Sequence, residues 1–267
     1  MRKLIIISLL LSPIVSIADI SFVSVGTSGA AASGNCNPVT PANIQDKDIL
    51  LLQVVSDDQV AHTVDNSYTQ IVQGNGAGTF QRMSLWYKRT TGTESLTTVT
   101  HSAGGAIGCT VMAFRGAEET GTPVNVASAS VGGDCTATST ATGITTTIDK
   151  ALLIHYAGNQ GGTPYYSGWA NIATTEAYDR VTNLVNYVHY AAAYGTQATQ
   201  GATGNQTATI DTAACNSTAL VALAPEGAVT PPPAPVDIFS EWLEINSHVE
   251  FANARNPDAI ASTADCA

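Results

Sequence analysis

Hydrophobic residues come in short runs separated by turn residues, and few of the runs show a helical period. Ile49-Leu50-Leu51-Leu52-Gln53-Val54-Val55 is apolar on both faces, as a strand covered from both sides must be. Met83-Ser84-Leu85-Trp86-Tyr87-Lys88 alternates, the pattern of a strand with one wet face. Other strand-like runs cover 20–25, 68–73, 96–100, 109–115, 124–129, 144–148, 151–156, 185–194, 207–210 and 218–224. Gly and Asn clusters at 74–76, 104–105, 132–133 and 161–162 punctuate them. Many short strands at this spacing predict an all-β fold, and unequally apolar sheet faces favour a two-sheet β-sandwich of jelly-roll type.

Both ends of the chain differ from this pattern. Arg2 and Lys3 precede an apolar run from Leu4 to Val15, and Ser16-Ile17-Ala18 is a small-x-small cleavage site. Residues 1–18 therefore read as a signal peptide with a helical core, shorter than the roughly 20 residues a membrane span needs. The β-sandwich domain is expected over 19–225. Residues 226–235 include Thr230-Pro231-Pro232-Pro233-Ala234-Pro235, a semi-rigid polyproline spacer. In the tail, 236–267, Phe239, Trp242 and Leu243 fall at helical spacing. They predict a short amphipathic helix that docks either back on its own domain or on another chain, or else a disordered segment.

Composition narrows the partners. Charged residues make up 12% of the chain against 44% hydrophobic, and the net charge of −11 becomes −13 once Arg2 and Lys3 are removed. Such an acidic chain is unsuited to nucleic acid and is repelled by anionic membranes. No second membrane span is expected after signal cleavage. The expected location is extracellular or cell-surface, with the periplasm as an alternative.

Export makes the cysteines informative. Cys36, Cys109, Cys135 and Cys215 lie in the domain, and no Cys-x-x-Cys occurs, so disulfides are expected rather than a metal. If the strands flanking Cys109 and Cys135 pair antiparallel, those two bridge; the first and last strands then bring Cys36 to Cys215. Cys266, next to the C-terminus, is either an intermolecular partner or a free thiol. The run strand–Cys36–Asp48-Ile49-Leu50-Leu51 has a counterpart in strand–Cys135–Lys150-Ala151-Leu152-Leu153. That order reads either as an internal duplication or as the monotony of a β-rich sequence.

No catalytic residue and no metal site is nominated. Asp57-Asp58 follows a buried strand and reads as a solvated turn; together with Asp65 its oxygens could suit calcium, but no ligand loop supports that, and no cofactor is expected. Glu94 and Glu118-Glu119 form no evident acid pair. His155 and His189 read as packed or rim histidines. Tyr165, Tyr166 and Trp169 share a loop bounded by Gly and Pro. They are the candidate ligand-binding residues, since aromatic faces stack on sugar rings; the other reading is a loop that folds its own aromatics over the sheet.

The ordered segments Asp48–Leu52, Met83–Lys88, Val111-Met112-Ala113-Phe114-Arg115-Gly116, Thr122-Pro123-Val124, Ile144–Leu152, Gly168-Trp169, Gln197–Gly204 and Ala219–Leu223 resemble the β-sandwich modules of bacteriophage tail and virion structural proteins and of related bacterial surface proteins. The resemblance spans roughly 20–225. It implies a jelly-roll module used for attachment, decoration or assembly, with no catalytic residues to carry over. The export signal and the domain cysteines depart from it and favour a secreted surface protein. The expected function is a non-catalytic extracellular structural or adhesive module that binds a glycan, a protein surface or other copies of itself through its surface and tail. The alternatives are a carbohydrate-binding module and, behind it, a glycoside hydrolase or lyase.

Overall fold

The computed structural model describes residues 17–228 except 66, 78–80, 96, 103, 162–164 and 183–186. All of them belong to one compact unit, Met1–Val229. The expected signal helix over 1–16, Phe239, Trp242, Leu243 and Cys266 lie outside the described residues.

The first half contributes β1 (Ser21–Val25), β2 (Gly29–Ala31), β3 (Asp46–Ser56), β4 (Thr63–Val64), β5 (Thr69–Asn75), β6 (Arg82–Thr91), β7 (Val99–Thr100) and β8 (Ile107–Arg115). The second contributes β9 (Val124–Ala127), β10 (Cys135–Ala141), β11 (Thr145–Thr146), β12 (Ala151–Gln160), β13 (Tyr166–Ala170), β14 (Thr175–Val181), β15 (Val188–Gln197), β16 (Gly201–Ala202) and β17 (Gln206–Leu223). No helix occurs among the described residues. One large sheet runs β1-β8-β3-β6-β5, with β2 also on β8; the other runs β10-β17-β12-β15-β14, with β9 and β13 also on β17.

The two halves repeat one design. β3, β5, β6 and β8 take the places that β12, β14, β15 and β17 take in the second sheet, and β1 corresponds to β9. The irregularities repeat as well. β5 shifts register against β6 between Gln70 and Val72, and β14 against β15 between Glu176 and Tyr178. The edge strands shift at Phe22/Ser24 and at the matching Val124/Val126. Coincident bulges mark a shared strand geometry, because a bulge displaces every later side chain. The topology therefore carries the duplication reading.

Each sheet is built from one contiguous half of the chain. This corrects the jelly-roll expectation, since a jelly roll winds two Greek keys through both its sheets. The same fact corrects the cysteine pairing. The bridges are Cys36–Cys109 and Cys135–Cys215, one in each half. Beyond β8 the chain crosses to the other sheet, so the strands carrying Cys109 and Cys135 never pair. Cys109 packs with Leu50, Leu52 and Val54 on the outer side of the first sheet.

The main core lies between the sheets. Ile49, Leu51, Val55, Met83, Leu85, Met112 and Phe114 meet Leu152, Ile154, Tyr156, Tyr190, Val221 and Leu223. β3 is buried on its other face too, as its sequence predicts. Gln53 stands in the middle of the core with no exposure; it donates to the Ala157 carbonyl at 2.9 Å and accepts from Tyr178 Oη at 2.6 Å. Gly108 and Gly158 let the sheets approach: a Cβ on Gly108 would run into the Tyr190 ring, and one on Gly158 into Val55.

Candidate functional site

Polar side chains that could do chemistry collect on the outer face of each sheet, beneath a segment that folds back over it. In the first half, Ser56 on β3 and Ser84 on β6 turn outward. The chain leaves β3 through Asp57-Asp58 and lays His62 across both serines, with backbone N–H to Gln73 Oε1 at 2.8 Å. Its Nδ1 lies 2.8 Å from Ser84 Oγ and its Nε2 2.9 Å from Ser56 Oγ. Trp86 Nε1 donates to Ser84 Oγ at 2.9 Å, and Ser56 Oγ lies 3.3 Å from Asp58 Oδ1, which also meets His101 Nε2 at 2.9 Å. One set of directions satisfies the chain: Trp86 to Ser84, Ser84 to His62 Nδ1, His62 Nε2 to Ser56, then Ser56 and His101 to Asp58.

This is not the geometry of an activated nucleophile. A working base needs one nitrogen on the nucleophile and the other on an orienting acid. Here both nitrogens of His62 meet serines, and the carboxylate binds a serine and the other histidine. Burial pushes His62 down to about 3, which keeps it neutral near pH 7 and a poor base. Burial alone would raise Asp58, but hydrogen bonds from His101 and from the Val60 N–H outweigh it and hold the carboxyl below its usual range. Asp57 is only 6% exposed, and Asp58 anchors His101. The expected solvated turn is therefore an anchor: Asp57 N–H donates to the Ala106 carbonyl at 2.9 Å, and the 101–106 stretch lies against both carboxylates. His62 lies on Ser84, and Val64 and Tyr68 share a cluster with Trp86, so the face of Met83–Lys88 expected to be wet is largely covered.

The second half repeats the plan with other residues. β13 folds over the outer face of β12 and β15. Tyr166 N–H donates to Asp179 Oδ2 at 2.9 Å, as His62 N–H does to Gln73 at the matching place. Tyr166 Oη accepts from Asn159 Nδ2 at 2.8 Å. Trp169 Nε1 donates to Glu176 Oε2 at 3.0 Å, and the Trp169 and His155 rings meet edge to face at 5.1 Å. His155 occupies the place of Leu52 in the first half, as their registers against Leu220 and Val111 show. It is fully buried, and neither ring nitrogen has a hydrogen-bond partner among the described residues. Burial lowers it to about 3 and raises Asp179 to about 6.

The three aromatic candidates do not form one face. Tyr166 is 2% exposed and Trp169 half-buried, while Tyr165 is 54% exposed with its ring edge-on to His189 at 6.1 Å. The Gly/Pro signals read as a loop; the stretch is instead a strand that packs its own aromatics on Ala157, Ala191, Ala208 and Ile210. Sequence reasoning missed Tyr187, 40% exposed, whose carbonyl accepts from the Gly161 N–H at 2.9 Å at the same end of the sheet. It also missed Ser56, His62, Ser84 and His101 as a set, since nothing in their spacing joins them.

Among the described residues, no three His, Cys, Asp or Glu side chains come together as metal ligands, and no helix is long and apolar enough to cross a membrane. Asp65 is engaged by the Thr98 N–H at 2.9 Å and Glu94 pairs with Lys88 at 2.5 Å. Comparison of the chain with protein-family models, curated proteins and solved structures finds no match. Of the resemblance to phage and surface modules, what stands is the all-β, two-sheet architecture.

Proposed function

We propose that this chain is an exported, non-catalytic β-sandwich module that attaches or assembles through its surface and C-terminal tail. The observation that carries the reading is where its chemistry sits. His62, His101, His155, His189 and Asp57 are all less than a tenth exposed. His62, His101 and Asp58 serve as hydrogen-bond connectors that fasten flaps to sheets. Both disulfides close within the fold, which suits an oxidising, extracytoplasmic setting. A protein that spends its reactive side chains on bracing has its surface left for recognition.

The test is assembly. The mature chain, purified oxidised, is expected to form higher species on size exclusion with light scattering, and a chain lacking 226–267 is expected to stay monomeric. A full-length chain that is monomeric at every concentration and coats no cell or polymer surface would remove the reading.

A glycan ligand is the second reading, favoured by the two exposed tyrosines, Tyr165 and Tyr187, at one end of the second sheet. Binding on a glycan array that disappears in Tyr165→Ala would establish it. Trp169, half-buried and turned to Glu176, is the weaker probe.

A further inference from the structure

A pocket of about 160 Å³ opens on the outer side of the first sheet, beside β6. Asp65, Tyr68, Lys88 and Glu94 line it, together with Thr93 and Ser95. Glu94 holds Lys88 in place: it takes one of the three ammonium hydrogens and is itself fixed by the Thr91 N–H at 3.0 Å. The ammonium lies over the Tyr68 ring, 5.8 Å from its centre. The second half has no such set at the matching place. His155 stands where the first half has Leu52, so Leu153 stands where it has Leu50, and their strand partners Gly195 and Lys88 correspond. At Gly195 the returning chain lies directly on the strand, since an added Cβ would strike the Ile172 carbonyl. The fold therefore closes here without a charge. In the first half it instead draws a lysine and a glutamate partly out of water, a cost that an ion pair on its own seldom repays in full.

The hydrogen bonds still open in this pocket define what it can hold. Lys88 keeps two hydrogens beyond the one given to Glu94. Tyr68 Oη accepts from Thr97 Oγ1 at 3.3 Å, which leaves its own hydrogen to donate. Burial raises Tyr68 to about 12, so the phenol stays a donor at neutral pH. Asp65 takes the Thr98 N–H through Oδ1, and a carboxylate has a second oxygen to accept with. A ligand must therefore accept from an ammonium and a phenol and donate to a carboxylate. An anion cannot donate and is repelled by Asp65 and Glu94; a metal ion cannot accept and is repelled by Lys88. A neutral hydroxyl does both, and adjacent hydroxyls on a sugar ring do both at once. We propose that this pocket binds one sugar unit of a glycan, gripped at its hydroxyls by Asp65, Tyr68 and Lys88. The small volume suits a single ring. The ammonium already covers a face of Tyr68, so the ligand is held by hydrogen bonds rather than by stacking.

The inference rests on the glycan reading given above but moves the site to the first sheet, and the experiment tells the two apart. The oxidised wild-type chain is applied to a glycan array in buffer containing EDTA. It is expected to bind glycans that end in one common sugar, and that sugar as the free monosaccharide is expected to inhibit. Tyr68→Phe keeps the ring and Asp65→Asn keeps an acceptor for the Thr98 N–H, so both should melt close to the wild type. Each is expected to weaken binding by roughly tenfold, the order of one hydrogen bond lost to the ligand, while Tyr165→Ala leaves it unchanged. In the unsubstituted protein, saturating monosaccharide is expected to shift the amide NMR signals of Thr97 and Thr98 and to leave those of Gly161 and Asp211 in place. The reverse pattern, or binding lost in Tyr165→Ala and kept in both first-sheet variants, overturns this pocket and leaves the glycan reading standing. A blank array overturns both. Calcium chloride that by itself shifts the Thr97 and Thr98 signals, and no longer does so in Asp65→Asn, overturns the sugar in favour of a cation.

Discussion

His155 stands where the first half carries Leu52, so the fold itself does not require a polar residue there. An imidazole whose two nitrogens find no hydrogen-bond partner among the described residues costs about 1–3 kcal/mol relative to an apolar side chain of similar size. His155→Leu is therefore expected to raise the melting temperature at pH 7 by several degrees. The pH dependence has a definite sign. His62 and His155 fall from 6.5 to about 3 on folding, so between those values the unfolded chain binds protons that the folded chain refuses. Their contribution is intact above pH 6.5 and is lost as the pH falls, on the order of 2–3 kcal/mol for each histidine by pH 4.5. Asp179 works the other way: raised to about 6, it favours the fold at low pH and loses that contribution as the pH rises through 6. It is only half-buried, so solvent screens its share and the histidines set the slope. Calorimetric scans from pH 7 to 4.5 should show the wild type losing stability steadily and His155→Leu losing roughly half as much. An unchanged slope would mean that His155 is not held neutral by the fold.

Strands whose neighbours fix their exposure were legible in the sequence, and those whose partners lie far away were not. β3 and β12 show their burial as unbroken apolar runs, and β8 does so from Cys109 onward. β17 was read as two strands, because Asp211, Asn216 and Ser217 resemble a loop. They lie within one 18-residue strand that pairs with β10 and β13 early and with β12 and β9 later. The His62 set was hidden because Ser56 and Ser84 become neighbours only through the register of β3 on β6, which no local pattern encodes. Aligning the halves would have helped, since it sets His155 against Leu52 and Asp179 against Gln73. The glycines at the sheet interface were legible only as turn residues, yet Gly108 faces the Tyr190 ring and Thr182. Gly108→Ala is expected to lower stability by about 1–3 kcal/mol through overpacking. Gly104→Ala, with nothing within 4 Å of the added carbon, should change it by less than about 0.5 kcal/mol. Urea midpoints of the two variants check this, and equal midpoints would show that the sheets are not in close contact at Gly108.

At the scale of the molecule, covalent and non-covalent connections are divided in an unusual way. Each disulfide closes inside its own half, Cys36–Cys109 in one and Cys135–Cys215 in the other, while the largest apolar cluster lies between the halves. Each bridge should stabilise by about 2–4 kcal/mol through the unfolded chain, but neither fastens one sheet to the other. Apart from the backbone connection, the sheets are held by the core and by hydrogen bonds such as Tyr178 to Gln53 at 2.6 Å and Gln81 to Ser217 at 2.6 Å. A specific protease site inserted between the exposed Thr120 and Gly121 tests that division. After cleavage, in a Cys266→Ser background, the oxidised protein should still elute as one species, because neither sheet can expose its inner face to water without losing the apolar burial that folds it. On a denaturing gel without reductant the same sample should separate into two fragments. A single band would require a bond between the halves and revive the Cys109–Cys135 pairing. Fragments that part without denaturant would mean that the inter-sheet core holds less than its burial implies, and that each half folds as a unit of its own.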